Sequence, residues 1–492
     1  MSSNPIIDHL SDSVLLEIFD SFRHSLQHER NYERVWNSNK GWFKLAHVCR
    51  AWRQVVLTSS SRLHMRLLFT ENKSVTGIAT KRLPPLPIIV SYQSGCWTAL
   101  IQKRMVSALS SPDRVCGIAF DVPTRVIPKE LLPALNQPFP SLDSLDFNCA
   151  GLHDRDIPPP FLTVQPPHLR RLKLANDASE FSCHILSCAT SLVDLTLSLD
   201  RIFNSPVETQ LLSHLQDMPL LRRLKLELWG PLLPSDITPI RLHSPTRPKA
   251  VSLPNLNFLS FTGHITQLEA LMSCLAAPSL QGLRIALGAT RSGEGLLLAP
   301  QLSNFILNIA KPFSQSRAQL NTSSEGITFF MLTRAHPPFK LILNPPTSLE
   351  QLGHVFHATF ARVKDVFITS PFSPMTVPPL APHIRWREFL RAFKTAKTLR
   401  ISPGREKAIL DILQEGRGEF SLYLLPALEE IVLNATTYPN SPTQVDEEQR
   451  AAILGLFKPL VDQGKRKGRT VNVHWNTDRV HPKDFYDSDV DM

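Results

Sequence analysis

The sequence predicts an α/β protein: an N-terminal helical module, then an irregular solenoid of parallel strands with helices on the convex side. Three observations predict it. A unit of the form Leu-x-x-Leu-x-Leu, with apolar substitutions, recurs along most of the chain. Ahead of it stand two stretches whose apolar residues fall at helical spacing. Prolines (41) also far outnumber glycines (19), and many of them stand just before short apolar runs, where they punctuate a repeat rather than loosen a linker.

In the first helical stretch Val14, Leu15, Ile18, Phe19 and Phe22 share a face, and Ser11 is placed to cap the N-terminus. The second steps by three or four through Trp42, Leu45, Val48, Cys49, Trp52 and Val56. Residues 23–40 between them are polar and are expected to form a long loop. Two helices this short cannot bury both stripes against each other, so the leftover apolar surface needs the rest of the chain or another protein. Two strand-like runs, 88–92 and 115–122, flank a helical 97–109, an order that builds a parallel pair.

The repeat unit then opens at Leu142, Leu169, Leu192, Leu221, Leu256, Leu280 and Leu302, in degenerate form at Val363 and Leu399, and again at Leu428. Pro140, Pro167, Pro219, Pro254, Pro278, Pro300 and Pro426 stand two residues before an opening. Openings lie mostly about two to three dozen residues apart, the long end of the leucine-rich-repeat range. Helical segments such as 205–216 and 265–276 lie between them, so each repeat is one strand and one helix. The Asn or Cys of a regular repeat is missing. Its positions hold Ala150, Asp177, Asp200, Trp229, His264, Gly288 and Ala310, which predicts an irregular, leucine-rich-repeat-like solenoid. Residues 313–346 break the period, with 327–333 and 339–344 expected as strands of a hairpin or insertion. A helix over 447–463 and a strand over 470–475 close the chain's ordered part. The acidic end, with Asp484, Asp487, Asp489 and Asp491, is expected to be disordered. The domain organisation that follows is 1–70 for the helical module, 71–475 for the solenoid and 476–492 for the tail.

Leu10, then Val14, Leu15, Leu16, Glu17, Ile18 and Phe19, then Leu45, Val48, Cys49, Arg50, Trp52 and Arg53 resemble an F-box, the helical hook that docks on the adaptor subunit of SCF ubiquitin ligases. The runs at 62–70, 83–90 and 113–123 extend the likeness to F-box proteins of mushroom-forming fungi, which carry a leucine-rich-repeat-like body. The likeness is sharpest over 6–122. The chain departs from the family pattern at Ser11, where Pro is usual, and in the length of the 23–40 loop. The resemblance implies a substrate-recognition subunit that makes no bonds itself. Leu10, Val14, Leu15, Ile18, Phe19, Leu45, Val48, Cys49 and Trp52 would bind the adaptor, and through it the cullin scaffold; the body would bind an unidentified target protein. A non-SCF scaffold whose N-terminal helices only cap the solenoid is the alternative.

The bulk chemistry excludes several classes. A net charge of +10 permits an acidic partner, but no basic cluster is interleaved with aromatics as a single-strand binder would need, so nucleic acid is not expected. The basic run 465–469 fits a solvated helix end or a nuclear signal. Seven scattered cysteines without a Cys-x-x-Cys pair fit a reducing compartment and no zinc site, and Cys183 and Cys188 are the closest two. Neither a secretory leader nor a membrane span is visible, so an intracellular location, cytoplasm or nucleus, is expected. The phosphate-loop spacing from Gly288 fails because Glu294 stands where Lys is required, and His28 and Glu29 lack a second histidine at Tyr32. No catalytic motif remains, and no cofactor, metal or enzymatic activity is expected.

The repeat also indicates where a target would lie. The last two Leu of each unit point inward, so the residue before each faces the open side of the sheet. That side displays Arg171 and Lys173, Asp194 and Thr196, Arg223 and Lys225, Phe258 and Ser260, then Gly282 and Arg284. Basic residues thus recur on alternate strands, about 10 Å apart. The bland reading is a solvated basic face partly neutralised by Asp194. The functional reading is a groove for an acidic or phosphorylated segment, bound by Arg171, Lys173, Arg223, Lys225, Phe258 and Arg284.

Overall fold

In a computed structural model the described residues are 10–27, 45, 48–59, 67–69, 87–92, 98–122, 130–149, 167–175, 185–187, 189–199, 205–228, 250–287, 300–309, 317–323, 326–332, 339–343, 357–369, 383–401, 406–413, 423–434 and 447–476. The architecture is mixed α/β with mostly parallel strands. The chain divides into two compact bodies, Met1–Leu221 and Arg222–Ser488.

The first body begins with helices α1 (Asp12–Gln27) and α2 (Arg50–Thr58). Strands β1 (Leu67–Phe69) and β2 (Ile88–Tyr92), helix α3 (Ala99–Leu109), strand β3 (Val115–Val122) and the short helix α4 (Leu132–Leu135) follow. Strands β4 (Ser144–Cys149), β5 (Arg171–Ala175) and β6 (Asp194–Leu199) and helix α5 (Ser205–Gln216) complete it. β1 to β6 pair in sequence order, every pair parallel. The expected parallel pair around α3 is β2 and β3. Leu67–Phe69, which the sequence reading put in the helical module, is instead a strand of the sheet, because its parallel partner Ile88–Val90 is supplied from beyond the module.

The second body runs through β7 (Arg223–Leu228), β8 (Val251–Ser252), β9 (Phe258–Gly263), α6 (Ile265–Cys274), β10 (Leu275–Ala276), β11 (Gly282–Leu287) and α7 (Pro300–Ile309). Next come β12 (Arg317–Ser323), β13 (Gly326–Leu332), β14 (Phe339–Leu343), α8 (His357–Phe360), β15 (Asp365–Thr369) and α9 (His383–Arg391). It ends with β16 (Thr398–Ile401), α10 (Glu406–Leu413), β17 (Glu430–Asn434), α11 (Glu447–Arg466) and β18 (Asn472–Asn476). Its main sheet has the order β7-β9-β11-β14-β13-β12-β15-β16-β17-β18, and β8 pairs with β10 in a separate two-stranded sheet. All its pairs are parallel except β12 with β13 and β13 with β14, so the break in periodicity over 313–346 is an antiparallel meander.

The repeat motif builds the core. Leu145, Phe147, Leu172, Leu174, Leu195 and Leu197 in the first body are buried, as are Leu224, Leu226, Leu259, Phe261, Leu283 and Ile285 in the second. The opening residues Leu142, Leu192, Leu221, Leu256 and Leu428 each donate their N–H to the carbonyl three residues earlier, on Phe139, Ala189, Met218, Leu253 and Leu425. Those acceptor residues are buried too. Four of these five turns have proline at the second position, where its fixed φ suits the turn. The prolines are therefore turn residues of a longer unit that begins three positions before its first Leu.

Backbone bonds hold one strand entry to the next. The Asp143 carbonyl accepts from the N–H groups of Arg170 and Arg171, and the Arg170 carbonyl from Val193 and Asp194. In the second body Arg222 serves Asn257 and Phe258 in the same way, Asn257 serves Gln281 and Gly282, and Lys397 serves Glu429 and Glu430. Hydroxyls reinforce the ladder. Ser191 Oγ donates to the carbonyls of Pro167 (3.2 Å) and Leu169 (2.9 Å), and Thr395 Oγ1 to those of Ala361 (2.7 Å) and Val363 (3.1 Å). These bonds satisfy carbonyls of the turns that lead into β5 and β15. Of the positions where the Asn or Cys was sought, His264 is described and the other six lie outside the described residues.

Three further expectations are corrected. The copy of the repeat at Leu302, Phe305 and Leu307 is helix α7, not a strand. Pro300 opens it, and the Glu269 carboxylate accepts from the N–H groups of Gln301 (3.0 Å) and Leu302 (2.7 Å), satisfying its first turn. The second N-terminal stretch is not one helix from Trp42, because α2 starts at Arg50 behind an extended Cys49. Helix α1 runs on to Gln27, into the stretch expected as loop; the rest of that loop lies outside the described residues. At the chain's other end, α11 stops where Gly468 turns left-handed at φ 73° and the Arg469 N–H returns to the Gly464 carbonyl at 2.9 Å. The basic run 465–469 is thus a helix end, exposed but for half-buried Arg469. The acidic tail, Cys183, Cys188, His28 and the loop from Gly288 lie outside the described residues.

Candidate docking surfaces

The N-terminal helices owe their starts to local capping. Ser11 Oγ accepts from the Val14 N–H at 3.5 Å, the far limit of such a bond, and Asp12 complements the helix dipole in the first turn. Cys49 Sγ accepts from the Trp52 N–H at 3.4 Å and so caps α2. Leu15, Leu16 and Phe19 recur on one side of α1 and are buried, as are Val55 and Val56 of α2. The Phe19 and Trp52 rings meet edge to face, 4.9 Å between centroids.

This partition divides the predicted adaptor residues. Leu15 and Phe19 are buried, and Phe19 meets the half-buried Trp52 across the helix pair. Leu10, Leu45 and Cys49 are also half-buried. Val14, Ile18 and Val48 remain outside, with 41%, 42% and 53% of their surface exposed. Each of the two stripes read from the sequence divides into buried and exposed residues. Leu16 belongs to the inward face and was not singled out; its spacing of three from Phe19 was the available signal.

The predicted target residues fall in both bodies. In the first, Arg171 Nη2 donates to Asp143 Oδ2 at 2.8 Å, and Lys173 Nζ to Asp146 Oδ2 at 3.1 Å. Asp146 and Lys173 are register partners on β4 and β5, so the basic pair on β5 is neutralised by the neighbouring strand. In the second, Arg223, Phe258 and Gly282 form one row across β7, β9 and β11, and Lys225, Ser260 and Arg284 form the next. Their neighbours Leu224, Leu259 and Leu283 point into the core, which puts both rows on the opposite face, as expected. Lys225 Nζ meets Glu227 Oε1 at 2.7 Å, whereas Arg223 and Arg284 have no ion pair among the described residues. The sequence reading missed the Asp143 and Asp146 pairings, since nothing local marks residues that meet across 28 and 27 positions of chain.

Among the described residues no group of three or more His, Cys, Asp or Glu side chains could hold a metal ion, and no helix is long and apolar enough to cross a membrane. His264, just before α6, has its pKa lowered by burial. No family model matches the chain, and no curated protein matches it.

Proposed function

We propose that this chain is the substrate-recognition subunit of an SCF-type ubiquitin ligase. In this reading α1 and α2 dock on the adaptor subunit, and through it on the cullin scaffold. The strand-rich remainder, an irregular leucine-rich-repeat-like solenoid, binds a target protein. The chain makes no bond itself; it raises the target's effective concentration at the ligase. The observation that carries the reading is the outward apolar face. Val14 and Ile18 of α1, and Val48 just ahead of α2, stay exposed, while Leu15, Leu16, Phe19, Val55 and Val56 are buried and Phe19 meets Trp52. Such a face, with half-buried Leu10, Leu45 and Cys49 among the motif residues, suits an apolar partner surface.

The test is co-purification of the full chain with a tagged adaptor subunit. The substitutions belong on Val14 and Ile18 rather than on Trp52, whose ring also holds Phe19. Central apolar anchors contribute about 2 kcal/mol each, so Val14→Asp with Ile18→Asp is expected to weaken capture by roughly a thousandfold. Absence of adaptor capture by the wild type, or undiminished capture by the folded double variant, refutes the docking and favours a scaffold whose helices only cap.

A further inference from the structure

The geometry points to an interface at the last strand of the second body. We propose that β18 pairs antiparallel with β18 of a second copy of this chain, about a two-fold axis at His474. This pairing is independent of the receptor reading above and needs neither an adaptor nor a target.

The first observation is an open edge. β18 stands last in the strand order, and among the described residues it pairs with β17 alone. The Asn472 N–H donates to the Glu429 carbonyl at 2.9 Å, so residues 472, 474 and 476 turn their backbone groups toward β17. By alternation Val473 and Trp475 turn theirs the other way, to the free edge. Asn472–Asn476 also carries none of the usual guards against edge pairing: it holds no Pro, Lys or acidic residue.

The second is self-complementarity. An axis at His474 sets Val473 opposite Trp475 of the second copy on each side, and Asn472 opposite Asn476. The Val473 and Trp475 positions are then the hydrogen-bonded pairs, and they use the backbone groups that point outward. His474 meets its own copy in the non-hydrogen-bonded position between them. The neighbouring registers of the same parity carry Val473 or Trp475 past the end of the opposite strand, so pairing is most complete about His474.

The side chains agree with that register. Val473 and Trp475 lie on the core side, beside buried Ile431 and Leu433, yet both are only half-buried. Trp475 is held in place, since its Nε1–H donates to the Arg450 carbonyl of α11 at 3.3 Å. Pairing covers the rest of both with an aromatic and β-branched cross-strand pair on each side of the axis. On the other side His474 is exposed, and Glu430 Oε1 stands 3.5 Å from its Nε2. A proton on either ring is thus countered within its own copy.

The third is where apolar surface remains. Among the described residues, the exposed large apolar side chains of the second body are Tyr423 and Leu456, 77% and 44% exposed, and both lie near its C-terminal end. Leu456 is on α11, the helix that leads into β18, and Lys467 Nζ, between the two elements, lies 5.1 Å from the Tyr423 ring centroid. A two-fold axis perpendicular to the sheet keeps both α11 helices on one side of it. Their apolar surface adds to a strand pair that alone is small for an interface.

The experiment is sedimentation velocity of the full-length protein from about 1 to 200 µM. A reversible monomer–dimer equilibrium is expected, with a dissociation constant on the order of 10 µM, as a small interface gives. His474→Asp and His474→Lys each set like charges opposite one another across the axis, and each should weaken association by roughly tenfold or more. An equimolar mixture of these two variants should recover it, because opposite charges then meet. Val473→Pro removes an outward N–H and spares the bonds to β17, so it too should weaken the dimer by roughly tenfold. Thermal denaturation of each variant separates lost pairing from lost fold. A wild type that stays monomeric throughout overturns the proposal. A dimer that then appears on removal of residues 477–492 assigns the edge to the chain's own end; continued absence assigns it to a different protein. A dimer that survives both His474→Asp and folded Val473→Pro lies on another surface and overturns the proposal equally. A mixture of the His474 variants that associates no better than either alone removes the axis at His474.

Discussion

Leu259 and Phe258 are chain neighbours on opposite faces of one strand, and truncating each in turn measures how the second body is built. Leu259 is fully buried, in register between Leu224 and Leu283, themselves 0% and 1% exposed. Leu259→Ala loses the transfer free energy of the removed carbons and leaves a cavity. The cavity can close only if β7 or β11 moves, and both are held by parallel ladders and by the bonds that the Arg222 and Asn257 carbonyls accept. The cost therefore belongs in the upper part of the usual range, about 3–5 kcal/mol. Phe258, half-buried on the open face, leaves no closed cavity, and Phe258→Ala is expected to cost about 1 kcal/mol. Urea unfolding followed by tryptophan fluorescence reads both, with Trp386, 1% exposed, as a reporter buried in the same body. If Leu259→Ala is no more destabilising than Phe258→Ala, the assignment of faces is wrong.

Two further outcomes test the ladder and the buried His264. Ser191→Ala and Thr395→Val each remove a hydroxyl that serves two turn carbonyls, and each is expected to cost about 1 kcal/mol in denaturant titration; no change for either would mean that water serves those carbonyls equally well. Burial lowers the His264 pKa below its ordinary 6.5, so the folded chain binds this proton less readily than the unfolded chain. Its contribution to stability is complete above pH 6.5 and is lost as pH falls below that value. His264→Gln should flatten that part of the pH dependence of the urea midpoint, and an unchanged slope would show that other groups produce it.

The strands were legible in the sequence because Leu-x-x-Leu-x-Leu carries a turn and an alternation in one local string. β3 to β7, β9, β11 and β15 to β17 lie where that string or a plain apolar run put them. The same string at Leu302 formed a helix, because its apolar spacing also fits a helix face and the deciding group, the Glu269 carboxylate, comes from 33 residues earlier. β12 went unseen because Arg317–Ser323 is largely polar and becomes a strand only by pairing with β13 and β15. The site followed the same division. Alternation alone put Arg223, Phe258 and Arg284 on the open face, and spacing alone put apolar residues along α1. Which of those apolar residues turn inward, and which cations are already neutralised, depended on partners far away in the chain. Phe19 met Trp52, and Arg171 and Lys173 met Asp143 and Asp146. Local spacing determines which face a residue occupies; only the tertiary structure decides what already occupies that face with it.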